Sequence, residues 1–182
     1  PGPPLAELGL NKKQKMKRLA CLLIITLTAL TARSQSSCSC SSLGPELVVN
    51  GDFSQGNMGF QTTYTFSTWA WPDYYGIANS STNPNPGSWM NCGDHTGGGN
   101  YMWADASSSN QNMPIWEESF SVQPNTNYVF SFWMSNVNGD SISCPPGKVQ
   151  FSINGIALGS LLQAPNASCV WIQNCVVWNS GS

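Results

Sequence analysis

Between Tyr128 and Met134 every second residue is large and apolar: Tyr128, Phe130, Phe132 and Met134 alternate with Val129, Ser131 and Trp133. Side chains on a strand point alternately to opposite faces, so this spacing predicts a β-strand with one buried face. The same period recurs along the chain. Phe60, Thr62, Tyr64 and Phe66 alternate with Gln61, Thr63 and Thr65, and Trp116, Glu118, Phe120 and Val122 form a second such run. Val149, Phe151 and Ile153 lead into Asn154-Gly155, after which Ile156 to Leu158 resumes. Asn and Gly tolerate positive φ, so this dipeptide between strand-like runs predicts a tight hairpin. Shorter strands are expected at Glu46 to Val49, Tyr75 to Ala78 and Asn100 to Ala106, with a last one marked by Val170, Ile172, Val176 and Trp178. Gln123 to Thr126 reads as a turn and 79–87 (NSSTNPNPG) as a loop. No helical pattern occurs after residue 35. Short strands separated by turn signals predict an all-β chain, a sandwich or a barrel.

The front of the chain obeys a different rule. Six of the seven Lys and Arg residues lie between Lys12 and Arg33; only Lys148 follows. Met16-Lys17-Arg18, the twelve-residue apolar run Leu19 to Leu30, and small Ala32 and Ser34 together predict a secretory signal peptide over 16–34, helical in its apolar part. Twelve apolar residues fall short of the about 20 that span a bilayer. Residues 1–15 precede that start and read as an upstream extension, 35–44 as a Ser/Cys linker, and 45–182 as one domain. The mature chain is therefore expected to be secreted or held at the cell surface, with no membrane span.

Past residue 35, eight carboxylates face one lysine. Nucleic-acid binding draws on Lys and Arg meeting phosphates, so nucleic acid is excluded as a partner, and anionic membrane surfaces are disfavoured. Six cysteines (Cys38, Cys40, Cys92, Cys144, Cys169, Cys175) behind an export signal predict disulfides, in any of fifteen connectivities. Cys169 and Cys175 sit on one expected strand and cannot pair. Cys144 precedes the 149–153 strand and Cys169 opens the last one, so Cys144–Cys169 is the pair expected to meet across the sheet.

Two patches resemble a known group. Glu46 to Phe60 (ELVVNGDFSQGNMGF) is similar to the opening of galactose-binding-like jelly rolls, which include many carbohydrate-binding modules. Cys92 to Met102 (CGDHTGGGNYM) with Trp103-Ala104-Asp105-Ala106 resembles jelly-roll domains of large secreted proteins of gliding bacteria and echoes MAM adhesion domains. Val122 to Trp133, Val149 to Gly155 and Trp178 to Gly181 look like the same bacterial domains. The resemblance implies a two-sheet antiparallel jelly-roll β-sandwich, C-terminally truncated before its final strands, with further domains of the same polypeptide downstream.

Its implied role is a non-catalytic binding module for a neutral polysaccharide or surface glycan. Trp69, Trp71, Tyr74 and Trp89 supply the flat apolar faces that stack on sugar rings. Trp71 and Tyr75 match family positions at the end of the sandwich. A structural or adhesive spacer with no small ligand is the alternative, and a glycan hydrolase the third. For hydrolysis, adjacent Glu117 and Glu118 point to opposite strand faces and cannot flank one glycosidic bond. His95, the only histidine, lacks a nucleophile motif and reads as a loop-ordering residue. Asp52 lies in the segment that supplies metal ligands in similar jelly rolls. With Asn50 and Asp94 it makes a candidate set for structural calcium, which takes six to eight oxygens.

Overall fold

A computed structural model describes residues 43–80, 84–106, 112–139 and 143–182, all within one compact unit, Gln35–Ser182. The expected signal helix and the extension before it lie outside these residues. The described part is all-β, with no helix. Seven strands form three small sheets: β1 (Thr65–Phe66), β2 (Tyr74–Ala78) and β3 (Tyr101–Asp105) in one, β4 (Asn127–Met134) with β7 (Ile172–Asn179) in another, and β5 (Lys148–Ile153) with β6 (Ile156–Gln163) in the third. Pairing is antiparallel except for the two-residue β1, which runs parallel to β2.

The longest ladder is β4–β7, in register from Asn127↔Asn179 to Met134↔Ile172. From Phe130 on its alternation is the expected one: Phe130, Phe132 and Met134 are half-buried, Ser131 and Trp133 exposed, while Val129 on the second face is half-buried too. Phe151 on β5 meets that face, with ring centroids 5.1 Å from Phe132 and 6.4 Å from Phe130. The β5–β6 hairpin turns at Asn154 and Gly155, both with positive φ, as the dipeptide requires. Most of the deeply buried apolar side chains gather instead around β2 and β3: Tyr64, Tyr75, Tyr101, Trp103 and Cys92, with Ala164 after β6 as the exception. Phe53, Phe60, Tyr75 and Phe66 extend this core through successive edge-to-face contacts at 5.5–6.1 Å.

Three expected strands do not form as such. At 46–49 the backbone amides go to carboxylates: Leu47 and Val48 donate to Glu46, and Val49 to Glu118. Within 60–66 only Thr65–Phe66 is a strand, because the Thr63 amide and the Thr62 and Thr63 hydroxyls all bond the Pro114 carbonyl. The 116–122 run contributes a single bridge, Gln61↔Glu117.

The Cys144–Cys169 pairing is also corrected. Cys169 is joined to Cys92, with Cα atoms 5.1 Å apart, and Cys144 is free and exposed. Segment 136–139 brings this about. On one side Trp89 bridges Asn138 and Gly139 donates to the Ser88 carbonyl; on the other Ser168 bridges Asn136 and Cys169 donates to the Asn136 carbonyl. The 88–92 and 168–169 segments are thus held against the same short stretch of chain. Cys175 is disulfide-bonded as well.

Candidate functional site

Trp69 and Trp71 stand on the loop that enters β2. Trp69 is 59% exposed and Trp71 65%. Large indoles so open to water are unusual in a small domain, and here they come as a pair two residues apart. The loop beneath them is tied at several points. Trp69 N–H donates to Ser67 Oγ, Ala70 N–H to the Pro84 carbonyl, and Tyr74 N–H to the Trp71 carbonyl. Asp73 N–H donates to the Asp105 carbonyl at 3.1 Å, and Asp73 itself holds φ at 72°, a left-handed conformation that Asp tolerates better than most residues. Two flat apolar faces are therefore presented on a backbone already ordered, so little further entropy is lost when a ligand settles on them.

The other two expected platform residues have different surroundings. Tyr74 is half-buried as the first residue of β2, opposite Asp105. Trp89 is spent on packing: its ring lies edge-to-face on buried Trp103 at 5.6 Å, and its backbone bridges Asn138. Tyr75 is buried, its hydroxyl donating to Asn57 Oδ1, as a core position demands. Trp71, expected beside it at the end of the sandwich, is among the most exposed aromatics.

Asp105 was not legible as a site residue. Cross-strand register places it beside Asp73 at the base of the Trp loop. Burial, and then the Asp73 charge, raise its carboxyl above the ordinary carboxylate range. Asp73 Oδ1 is itself buried with no hydrogen-bond partner. Two carboxylates held together without a donor destabilise the folded state when both are ionised. Asp105→Asn is therefore expected to raise the melting temperature at pH 7. A raised folded-state value means that wild-type stability is lost as pH rises through it. The gain from the substitution should shrink as pH falls and vanish below 3.8, the ordinary value. Melts of both proteins across pH 3–7 check this; a substitution that lowers the melting temperature at pH 7 contradicts it.

His95 forms a second aromatic cluster. Its ring stacks on Trp133 at 4.7 Å and lies 6.3 Å from Trp171, whose Nε1 donates to the Gly93 carbonyl. Glu118 accepts from Val49 N–H, whereas the Glu117 backbone pairs with Gln61. The Glu118 carboxylate and the Glu117 backbone thus serve separate structural tasks.

The calcium set is occupied by its own loops. Asn50 Nδ2 donates to the Gly56 and Met58 carbonyls while its Oδ1 accepts from Gln55 N–H. Asp52 Oδ1 accepts from both Ser54 N–H and Ser54 Oγ–H, which hold its carboxyl below the usual range. Asp94 Oδ1 accepts from Gly98 N–H and Oδ2 from Thr96 Oγ–H, and the Thr96 bond above all pushes that carboxyl strongly down. Asn100 Nδ2 donates to the Phe53 carbonyl and so ties the two loops together. Among the described residues no group of three or more His, Cys, Asp or Glu is placed to hold a metal. Asn50, Asp52 and Asp94 are each engaged in hydrogen bonds within their own loops.

Comparison with family models, with curated proteins and with solved structures finds no match to this chain.

Proposed function

We propose that the domain is a non-catalytic binding module of the galactose-binding-like jelly-roll kind, carried on a secreted or surface-attached bacterial protein, and that it binds a neutral carbohydrate. The observation that carries this is the pair of exposed indoles, Trp69 and Trp71, on a loop pinned by four hydrogen bonds from its backbone amides, one of them to the Ser67 hydroxyl. Sugar rings offer C–H faces that match such indoles, and Asp73 and Asp105 at the loop base are acceptors for hydroxyl groups. Charge restricts the ligand further. With a single lysine after residue 35, a polyanion would meet mainly carboxylates. The opposed faces of β4 and β5, meeting through Phe130, Phe132 and Phe151, are the packing a jelly-roll sandwich uses.

Affinity electrophoresis against neutral and anionic polysaccharides tests the proposal. A neutral polysaccharide should retard the protein, with a dissociation constant of about 10 μM to 1 mM, since an open stacking site leaves small net affinity after association costs. Trp69→Ala with Trp71→Ala should abolish retardation while leaving the melting temperature close to wild type, because neither ring is buried. Absence of retardation by every neutral polysaccharide would favour the adhesive-spacer reading instead.

A further inference from the structure

A second concavity, separate from the Trp69–Trp71 loop in its residues, has a different chemistry. Asn136, Asn138, Asn166, Ser168, Cys144 and Pro146 line an open cleft of about 340 Å³, together with Gly139. Small-molecule sites run from about 300 to 1,000 Å³, so the space is enough for a small ligand. Among the described residues that line it there is no aromatic ring and no Asp, Glu, Lys, Arg or His. Side-chain amides dominate, and an amide offers two donors and an acceptor at one position.

Much of that capacity is weakly used. Asn136 is only 8% exposed; its Nδ2 reaches the Asn166 carbonyl at 3.4 Å, and its Oδ1 accepts from Asn138 N–H at 3.1 Å. Asn138 Nδ2 reaches the Cys144 carbonyl, also at 3.4 Å. Both distances exceed the usual 2.7–3.2 Å of an N–H···O bond, so these donors lose little in turning to a better acceptor. Asn166 is exposed, and its side-chain amide makes no hydrogen bond among the described residues.

The walls, by contrast, are anchored. Ser168 Oγ–H donates to the Asn138 carbonyl, and Cys169 N–H to the Asn136 carbonyl at 2.8 Å. Gly139 N–H donates to the Ser88 carbonyl, also at 2.8 Å, and the Cys92–Cys169 disulfide closes the same region. Three chain segments, 136–139, 144–146 and 166–168, thus hold an array of underused amides facing one space.

We propose that this cleft is a second binding site, specific for a single uncharged sugar ring or comparable polyol held by hydrogen bonds and not by stacking. Hydroxyl groups donate and accept in turn, which matches amides; a charged ligand would find no counter-ion among the described lining residues and would lose its hydration. Affinity through hydrogen bonds alone in an open cleft should be weak, around 1 mM.

Cys144 gives a direct readout, because its free thiol lies in the wall. The oxidised full-length protein is alkylated with iodoacetamide in the presence of glucose, galactose, mannose or N-acetylglucosamine, and Cys144 modification is followed by mass spectrometry. At least one of these sugars should slow the reaction saturably, about tenfold at ten times its dissociation constant. Asn166→Ala, which alters only an exposed side chain, and Asn138→Ala should each weaken the protection at least severalfold. The Trp69→Ala, Trp71→Ala protein should keep it. Glucuronate and glucosamine should protect less than their neutral counterparts. An alkylation rate unchanged by all four sugars overturns the proposal. So does protection that persists undiminished in both asparagine variants, or that disappears with the two tryptophans.

Discussion

Replacing Cys92 and Cys169 together by alanine should lower the melting temperature more than any surface change in this domain. The disulfide joins residues 77 apart, and Cys92 is only 2% exposed. Closing a loop of that length removes enough unfolded-state entropy to contribute about 4 kcal/mol. For a domain of this size that corresponds to a fall of about 10–15 °C in melting temperature. The double substitution avoids leaving one thiol to pair with exposed Cys144. Scanning calorimetry of the oxidised wild type and the variant gives the comparison. A fall of less than about 3 °C would mean that the hydrogen bonds flanking Asn136 and Gly139 hold the three segments without the covalent link.

The second large effect is expected at Gly76. It sits in the middle of β2 directly opposite Trp103. A Cβ there would lie 2.5 Å from Trp103 Cζ2 and 2.6 Å from the Ser67 carbonyl oxygen. Neither neighbour is free to retreat. Trp103 is 4% exposed and braced by Trp89, while Ser67 is fixed by its N–H bond to the Tyr75 carbonyl at 2.9 Å. Gly76→Ala should therefore destabilise by about 3 kcal/mol, at the upper end for overpacking, or prevent folding. Gly93→Ala is the matched control, because nothing lies within 4 Å of the added carbon and φ is ordinary. Urea denaturation followed by tryptophan fluorescence separates the two. Equal midpoints for Gly76→Ala and Gly93→Ala would show that the β2–β3 layer gives way more readily than its contacts imply.

Both effects depend on where segments meet, and there the sequence alone is least informative. Period two became ladder in β4 and β5, whose partners are β7 and, across the Asn154-Gly155 turn, β6. The same period at 116–122 and over most of 60–66 did not become ladder. Alternation reports which side chains are apolar, but not whether a backbone amide will meet a neighbouring strand, a carboxylate such as Glu118, or a carbonyl such as Pro114.

The candidate site divides in the same way. That the segment from Trp69 to Tyr74 is an aromatic cluster with an acid in it is written in the chain. Which rings reach solvent is not. Trp89 packs its ring on Trp103, from another segment, whereas Trp71 stands exposed. Asp105 becomes relevant to Asp73 only through antiparallel register. The cysteines follow suit: an even count after residue 35 predicts bridges, but the partner of Cys169 depends on what flanks segment 136–139. Sequence by itself determined the all-β class, the tight hairpin, the scarcity of cations and the aromatic loop, because these rest on residue type and on spacing over a few positions. Tertiary structure decided the disulfide, the exposure of each indole, the Asp73–Asp105 pair and the amide-lined cleft, because each is a contact between residues far apart in the chain.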